Sequence, residues 1–362
     1  MIRQTKKLRS DRRGAILVLA AVMVAVLLGI VAFAVDYGHL LKVRTDLQRA
    51  ADASALAAVQ DLIRKADGTQ DVNKARETAR TYARNNLNNA SFQVPDSDIQ
   101  IGRYDTDSIY SNVTLLNDGT FDAVRVTVRR DGAANPEVPL FFARILGMTE
   151  APVTASATAV LQKASIMGPG ADVLPFGTPK LLWDTLEPGD NWTAYGDGRL
   201  ENEFGLPVPG NWGTLDIGEN ANSTSDQNDQ ILNGLRQTDL DTLASNGRIP
   251  QTSHMDSSQP VWLQGDPGLS SGLKHSVQAI HGQKRVIPIF DSLAGGGGNT
   301  NEFHVVGWGV VTVVDSRWQG STNIRVVVKK SHALMGELRP AGDLSAESGY
   351  IDGAYTSPAL VE

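Results

Sequence analysis

The sequence predicts an α+β protein: a long N-terminal transmembrane helix continuing into a small helix-and-sheet domain, then a mixed, β-rich domain. Three observations predict it. An uncharged apolar run of 22 residues, Gly14–Val35, leads into an alanine-rich stretch with helical spacing and no cluster of turn residues between them. Across 99–160 the apolar positions switch from the helical period to alternation. Beyond 172, Val- and Ile-rich runs separated by Gly- and Pro-containing segments dominate.

Charge fixes the first element. Residues 1–13 carry Arg3, Lys6, Lys7, Arg9, Arg12 and Arg13 against the single acid Asp11, a net of +5 in a chain of net −7, so the remainder stands at −12. An acidic body is a poor match for phosphates, and no nucleic-acid partner is expected. Arg9, Arg12 and Arg13 beside an apolar run instead orient it. The positive-inside rule puts 1–13 in the cytoplasm and everything after Val35 outside, with the lipid bilayer as a partner. The chain has no cysteine, which excludes disulfides, thiolate metal sites and a cysteine nucleophile.

As a helix, residues 14–35 span about 33 Å at 1.5 Å per residue, enough for a hydrocarbon core of about 30 Å. Their thirteen Leu, Ile, Val and Phe side chains favour insertion by roughly 4–8 kcal/mol. Ala32-Phe33-Ala34 also fits a signal-peptidase site, but the run is longer than the h-region of about 7–15 residues that such peptides use. A retained anchor is therefore the reading, with release after Ala34 as the alternative.

Past Val35 nothing but Gly38 opposes continuation of the helix, at about 1 kcal/mol relative to Ala. Leu47, Ala50, Ala51, Ser54, Ala55 and Ala58 then share one face, and small residues four apart permit close backbone approach. The face suits either the protein's own sheet at 99–160 or a helix of a partner, which would make a homo- or hetero-oligomer.

Arg12-Arg13-Gly14, the apolar span, Asp36-x-Gly38 and Arg44-x-x-Leu47-Gln48-x-Ala50-Ala51-Asp52-Ala53-x-Ala55-Leu56-Ala57 together resemble the N-terminal signature of TadE/TadG-like proteins of the Tad (Flp pilus) machinery. The resemblance implies a single-pass inner-membrane, pilin-like protein with its bulk outside the cytoplasm. It also implies other Tad/Flp pilus-assembly or secretion proteins as partners; from the sequence patterns themselves no cofactor is expected. Leu19 stands where members processed by prepilin peptidase carry Glu, which argues against cleavage at Gly14. The D-x-S-x-S metal motif of some longer relatives has only fragments here, at Asp105–Ser108 and Asp256–Ser258.

The rest follows in order. Gly68 breaks the long helix, and 72–88 forms a second one. Strands follow around Ile99–Ile101, Val124–Val128 and Val153–Val160, with a short helix over Leu140–Leu146. Residues 36–164 thus make a pilin-like domain, 165–171 a Gly/Pro linker, 172–331 the β-rich domain with a helix over Ser271–Ile280, and 332–362 an aperiodic tail expected to be flexible. Gly210-Asn211-Trp212-Gly213, the "GDPG" turn and "VIPIFD" are similar to the C-terminal portion of many Tad-family proteins.

Catalytic patterns are weak. Gly268–Lys274 lacks the spacing of a P-loop and reads as a turn before a helix; Gly295–Gly298 reads as a loop. His275 and His281 stand six apart, which puts them on different helix faces. Ser276, His304 and Asp291 could be drawn as a triad, without a nucleophile elbow to support it. Asp226 and Asp229 lack the rest of a Ca²⁺ loop. Trp192, Trp212 and Trp308 suit either a ligand surface or the core of a domain short of Leu. The sequence reads as a non-enzymatic assembly component; a membrane-tethered envelope hydrolase with its site in 172–331, or a released binding module, are the alternatives.

Overall fold

The computed structural model describes residues 13–65, 69–104, 115–116, 121–202, 204–205, 207–208, 212–218, 223–251, 254–295, 301–320, 323–340 and 349–361. The described residues fall into two compact units: those within 1–54, 80–99 and 126–157 form one, and those within 55–79, 100–125 and 158–362 the other.

Helix α1 runs unbroken from Arg13 to Gln60. The large apolar side chains from Leu17 to Val35 are exposed along its first half, and its most apolar 18-residue stretch has a mean hydropathy of 3.0 with none of it buried in the protein. It is thus long and apolar enough to cross a membrane. It ends by tightening, with i→i−3 bonds from Asp61, Leu62 and Ile63 to Ala58, Val59 and Gln60. The expected break at Gly68 lies outside the described residues, and the helix stops before it. Helix α2 (Val72–Asn86) starts at Asp71, whose carboxylate accepts from the Lys74 amide at 3.0 Å. It stops at Asn88, which takes φ +48° while the Asn89 amide reaches back to the Arg84 carbonyl at 3.0 Å.

Strands β1 (Ile99–Tyr104), β2 (Leu115–Leu116) and β3 (Ala123–Arg130) are followed by β4 (Val138–Pro139), β5 (Glu150–Ala151) and β6 (Val153–Val160). β4 and β5 close a hairpin whose tip is a single 3-10 turn over Ala143–Leu146, shorter than the expected helix over 140–146. The sheet order is β2-β1-β3-β6-β21, with β21 (Ala359–Val361) antiparallel to β6.

The segment expected to be a linker is β7 (Ala164–Met167) and a turn. β7 lies between β13 (Met255–Asp256) and β19 (Leu338–Pro340), and Ala164, Met167 and Ala171 are fully buried. The elements between are β8 (Phe176–Pro179), α3 (Lys180–Trp183), β9 (Asn191–Tyr195), β10 (Leu200–Asn202), β11 (Pro207–Val208), β12 (Gly213–Leu215), α4 (Thr224–Asn233) and α5 (Gln237–Ser245). Then follow β14 (Val261–Pro267), α6 (Lys274–Ala279), β15 (Lys284–Ala294), β16 (Asn301–Gln319) and β17 (Asn323–Lys330).

Nine of these strands join in the order β11-β10-β9-β17-β16-β14-β12-β8-β15, and β15 also pairs with β16. The second pairing closes β16, β14, β12, β8 and β15 into a barrel. Closure is possible because β16, at 19 residues, is long enough to serve several partners and both β15 and β16 carry register shifts. The observed class is thus α+β with a β-rich second part, as the alternation in the sequence led one to expect.

The tail expected to be flexible is built in wherever it is described; 341–348 and Glu362 lie outside the described residues. β18 (Ala333–Leu334) pairs with β20 (Ala354–Tyr355), and Met335, Leu338, Ile351 and Ala354 enter the barrel-side core. The physical reason for the missed expectation is length: strands of two or three residues leave no period to read.

Candidate functional site at the membrane end of the long helix

Asp36 is the first charged residue after the apolar run. Its carboxylate accepts three backbone bonds, from Phe141 at 2.8 Å, Phe142 at 3.0 Å and Ala143 at 2.7 Å. These amides open the 3-10 turn at the β4–β5 tip, so a side chain of α1 caps a loop more than a hundred residues later. Burial by itself pushes the Asp36 carboxyl up. The amides of Ala143, Phe141 and Phe142, with the neighbouring His39, outweigh it and hold the group below the ordinary carboxylate value. His39 also lies against Phe141 at 5.1 Å, and Phe33 stacks on Tyr37 at 5.9 Å. Between the loop and α1 is an apolar groove whose walls include Gly29, Ala32 and Phe33 of the helix and Ile145, Leu146 and Met148 of the loop. Sequence reasoning quoted Asp36 only as a motif position and missed its partners. The one available signal was a lone acid at the end of an apolar span.

The six residues of the predicted packing face are all buried: Leu47, Ala50, Ala51, Ser54, Ala55 and Ala58 are between 0 and 1 % exposed. Their surroundings are the protein's own fold. Beside them, Gln48 donates to the Ser156 carbonyl of β6 at 3.0 Å, and to Asp52 at 2.8 Å. Of the cations expected to orient the span, Arg9 and Arg12 lie outside the described residues, and Arg13 opens α1.

The other patterns resolve as architecture. Ser276 hydrogen-bonds Asn228, not His304. His304 does meet Asp291 at 2.9 Å, but Ser292 donates to the same carboxylate oxygen at 2.8 Å. A hydroxyl held by the carboxylate is not in series with the imidazole, so this set cannot pass a proton from Ser through His. Ser270 accepts from the Gly272 amide at 3.3 Å and caps a turn, as the reading of Gly268–Lys274 required. Asp226 and Asp229 lie on α4 and approach Arg236 at 3.4 and 3.5 Å, beside its 2.7 Å bond to fully buried Asp239. Trp192, Trp212 and Trp308 are core residues, at most 2 % exposed. Asp105–Ser108 and Gly296–Gly298 lie outside the described residues. Among the described residues no group of three or more His, Asp or Glu is placed to hold a metal ion.

Comparison with known proteins agrees with the N-terminal geometry. No curated protein and no solved structure matches the chain. Residues 14–61, the greater part of α1, match the family described as Flp pilus-assembly TadE/G-like, and residues 57–159 match the one described as Tad-like Flp pilus-assembly. The two matches abut through the end of α1 and cover the helix, the Asp36 latch and the sheet as far as β6. Over residues 14–159 this chain is thus similar to the TadE/G-like Flp pilus-assembly families, and the matched part opens with a helix long and apolar enough to cross a membrane.

Proposed function

We propose that the chain is a single-pass component of a Tad/Flp pilus-assembly or secretion apparatus and works by assembly, pilin-like, rather than by catalysis. The observation that carries this reading is the continuity of α1. One helix holds an unburied apolar span and, without a break, the alanine segment that the family match covers. Residues 1–13 lie in the cytoplasm, because the net charge of +5 precedes the span. Residues after 35 lie outside the cytoplasmic membrane. Partners are other components of the same machinery; with the alanine face buried, a helix-mediated contact uses the exposed span itself. The reading is tested by deletion of the gene: piliation and adherence fall as far as they do on deletion of neighbouring Tad genes. Undiminished pili in the deletion strain, with those neighbours essential, would refute it. Protease treatment of spheroplasts should remove residues beyond 35 and leave a short protected N-terminal fragment.

A further inference from the structure

We infer that the β4–β5 tip, residues 140–148, is a second membrane element, embedded in the outer leaflet beside the span and latched there by Asp36. This rests on the reading of residues 14–35 as a transmembrane anchor. Three observations support it.

First, the tip is apolar and uncovered. Phe141 is 59 % exposed, Ile145 85 %, Leu146 78 % and Met148 55 %, and Arg144 is the one charged residue between 138 and 148. Side chains of this kind, clustered on one loop, mark a contact surface.

Second, its depth is fixed. Asp36 ends the span, and the groove beside it is lined by the tip and by α1 as far down as Gly29. Seven residues of helix are about 10 Å, against about 15 Å for half of a 30 Å hydrocarbon core. The tip therefore descends along the same apolar helix surface that the acyl chains cover, and the occupant that meets one meets the other. Phe33 and Tyr37 stack at this level, as aromatic residues do where hydrocarbon gives way to headgroups.

Third, the backbone is prepared for lipid. Unbonded amides are not tolerated in hydrocarbon. Here those of Phe141, Phe142 and Ala143 go to Asp36. Those of Leu140, Ile145, Gly147 and Met148 go to carbonyls of the same loop, at 2.9 to 3.1 Å. Arg144 carries the charge that reaches back to lipid phosphates.

The absence of cysteine allows a direct test in the full-length protein. Spin labels are placed singly at Ile145→Cys, Leu146→Cys, Val26→Cys and Asn85→Cys, and the protein is reconstituted in vesicles of phosphatidylethanolamine and phosphatidylglycerol. Collision with oxygen is compared with collision with a water-soluble nickel chelate. The expected ratio at 145 and 146 is several-fold above that at exposed Asn85 and close to that at Val26 in the span. A water-like ratio at 145 and 146 with a lipid-like one at 26 overturns the loop and leaves the anchor standing. A water-like ratio at 26 removes the anchor and this inference with it. Two independent loop positions guard against a label that itself unseats the tip.

Discussion

Replacing Gly309 by alanine puts a methyl group against the Trp183 ring. A Cβ at 309 stands 2.9 Å from Cε2 of Trp183 and nearer still to Cζ2 and Cη2. Carbon atoms settle at about 3.5–4.0 Å, so the indole must move by more than about 1 Å. The indole is not free to do so. Its Nε1 donates to Asp352 at 2.9 Å, its face lies under the Lys330 ammonium at 4.5 Å, and its edge meets Trp192 with centroids 6.0 Å apart. Overpacking costs about 1–3 kcal/mol, and weakening the bond to half-exposed Asp352 adds roughly 0.5–1 kcal/mol. The expected loss is about 2–4 kcal/mol, which at about 2–4 °C per kcal/mol lowers the melting temperature by roughly 4–16 °C. All six tryptophans lie beyond residue 158, so fluorescence of the full-length protein in detergent reads this unit. Gly307→Ala, two residues away with nothing within 4 Å of the added Cβ, is the control. Trp183→Phe in the Gly309→Ala background should recover part of the loss, since it removes the crowded atoms. Equal melting of the 307 and 309 variants would refute the reasoning.

Three further outcomes are expected. Asp36→Asn loosens the β4–β5 tip, read as lower amide protection at Phe141–Ala143. Because the folded carboxyl lies below its ordinary value, its contribution is complete above about pH 4 and is lost as pH falls through the folded value; the wild type should thus loosen only in acid, and the Asn variant at all pH values. Arg236→Gln leaves fully buried Asp239 without its guanidinium partner; with Arg236 one-third exposed and screened, about 1–2 kcal/mol is lost, measured as a shift in denaturant midpoint. Truncation after Pro358 removes β21, and amide exchange should rise at Thr158–Val160, the β6 residues it pairs with.

The sequence was most legible where a signal is local. Hydropathy read a helix long and apolar enough to cross a membrane, and the small residues four apart lie on a face that is buried. Alternation read the main strands of 99–160. Long-range partners were the blind spot. Nothing near Asp36 in the chain says that its carboxylate serves amides 105 to 107 residues away. Nothing in the Val-rich run of β16 says that it pairs with both β14 and β15 and so closes a barrel. The hydrophobic "LFFARIL" was legible as apolar, but it was read as a short helix rather than a single 3-10 turn and not as exposed, because composition reports what a residue prefers and not whether the fold grants it. His304 and Asp291 show the converse: two chemistry-bearing residues do meet, yet the Ser292 bond to the same oxygen makes the pair a surface clamp across β15 and β16.

The burial of the alanine face changes where assembly must be sought. A face of Ala50, Ala51 and Ala55 at 0 % exposure has no area left for a partner helix, so substitutions there act through folding and not through partner choice. The apolar surface that remains uncovered on α1 lies at Leu17 to Val35, on the opposite side of Asp36 from the buried face. Asp36 therefore sits where the helix changes its neighbours, from lipid or partner to the protein's own fold. A carboxylate at that boundary must be neutralised locally or it would pull the helix toward water. The three amides of the β4–β5 tip do this, and in doing so they bring the loop's apolar side chains to the level of the span. On the proposed reading of residues 14–35 as an anchor, one acidic residue thereby links the depth of the helix in the bilayer to the position of the loop, the coupling that an assembly subunit seated in a membrane needs if its outer surface is to be presented at a defined height.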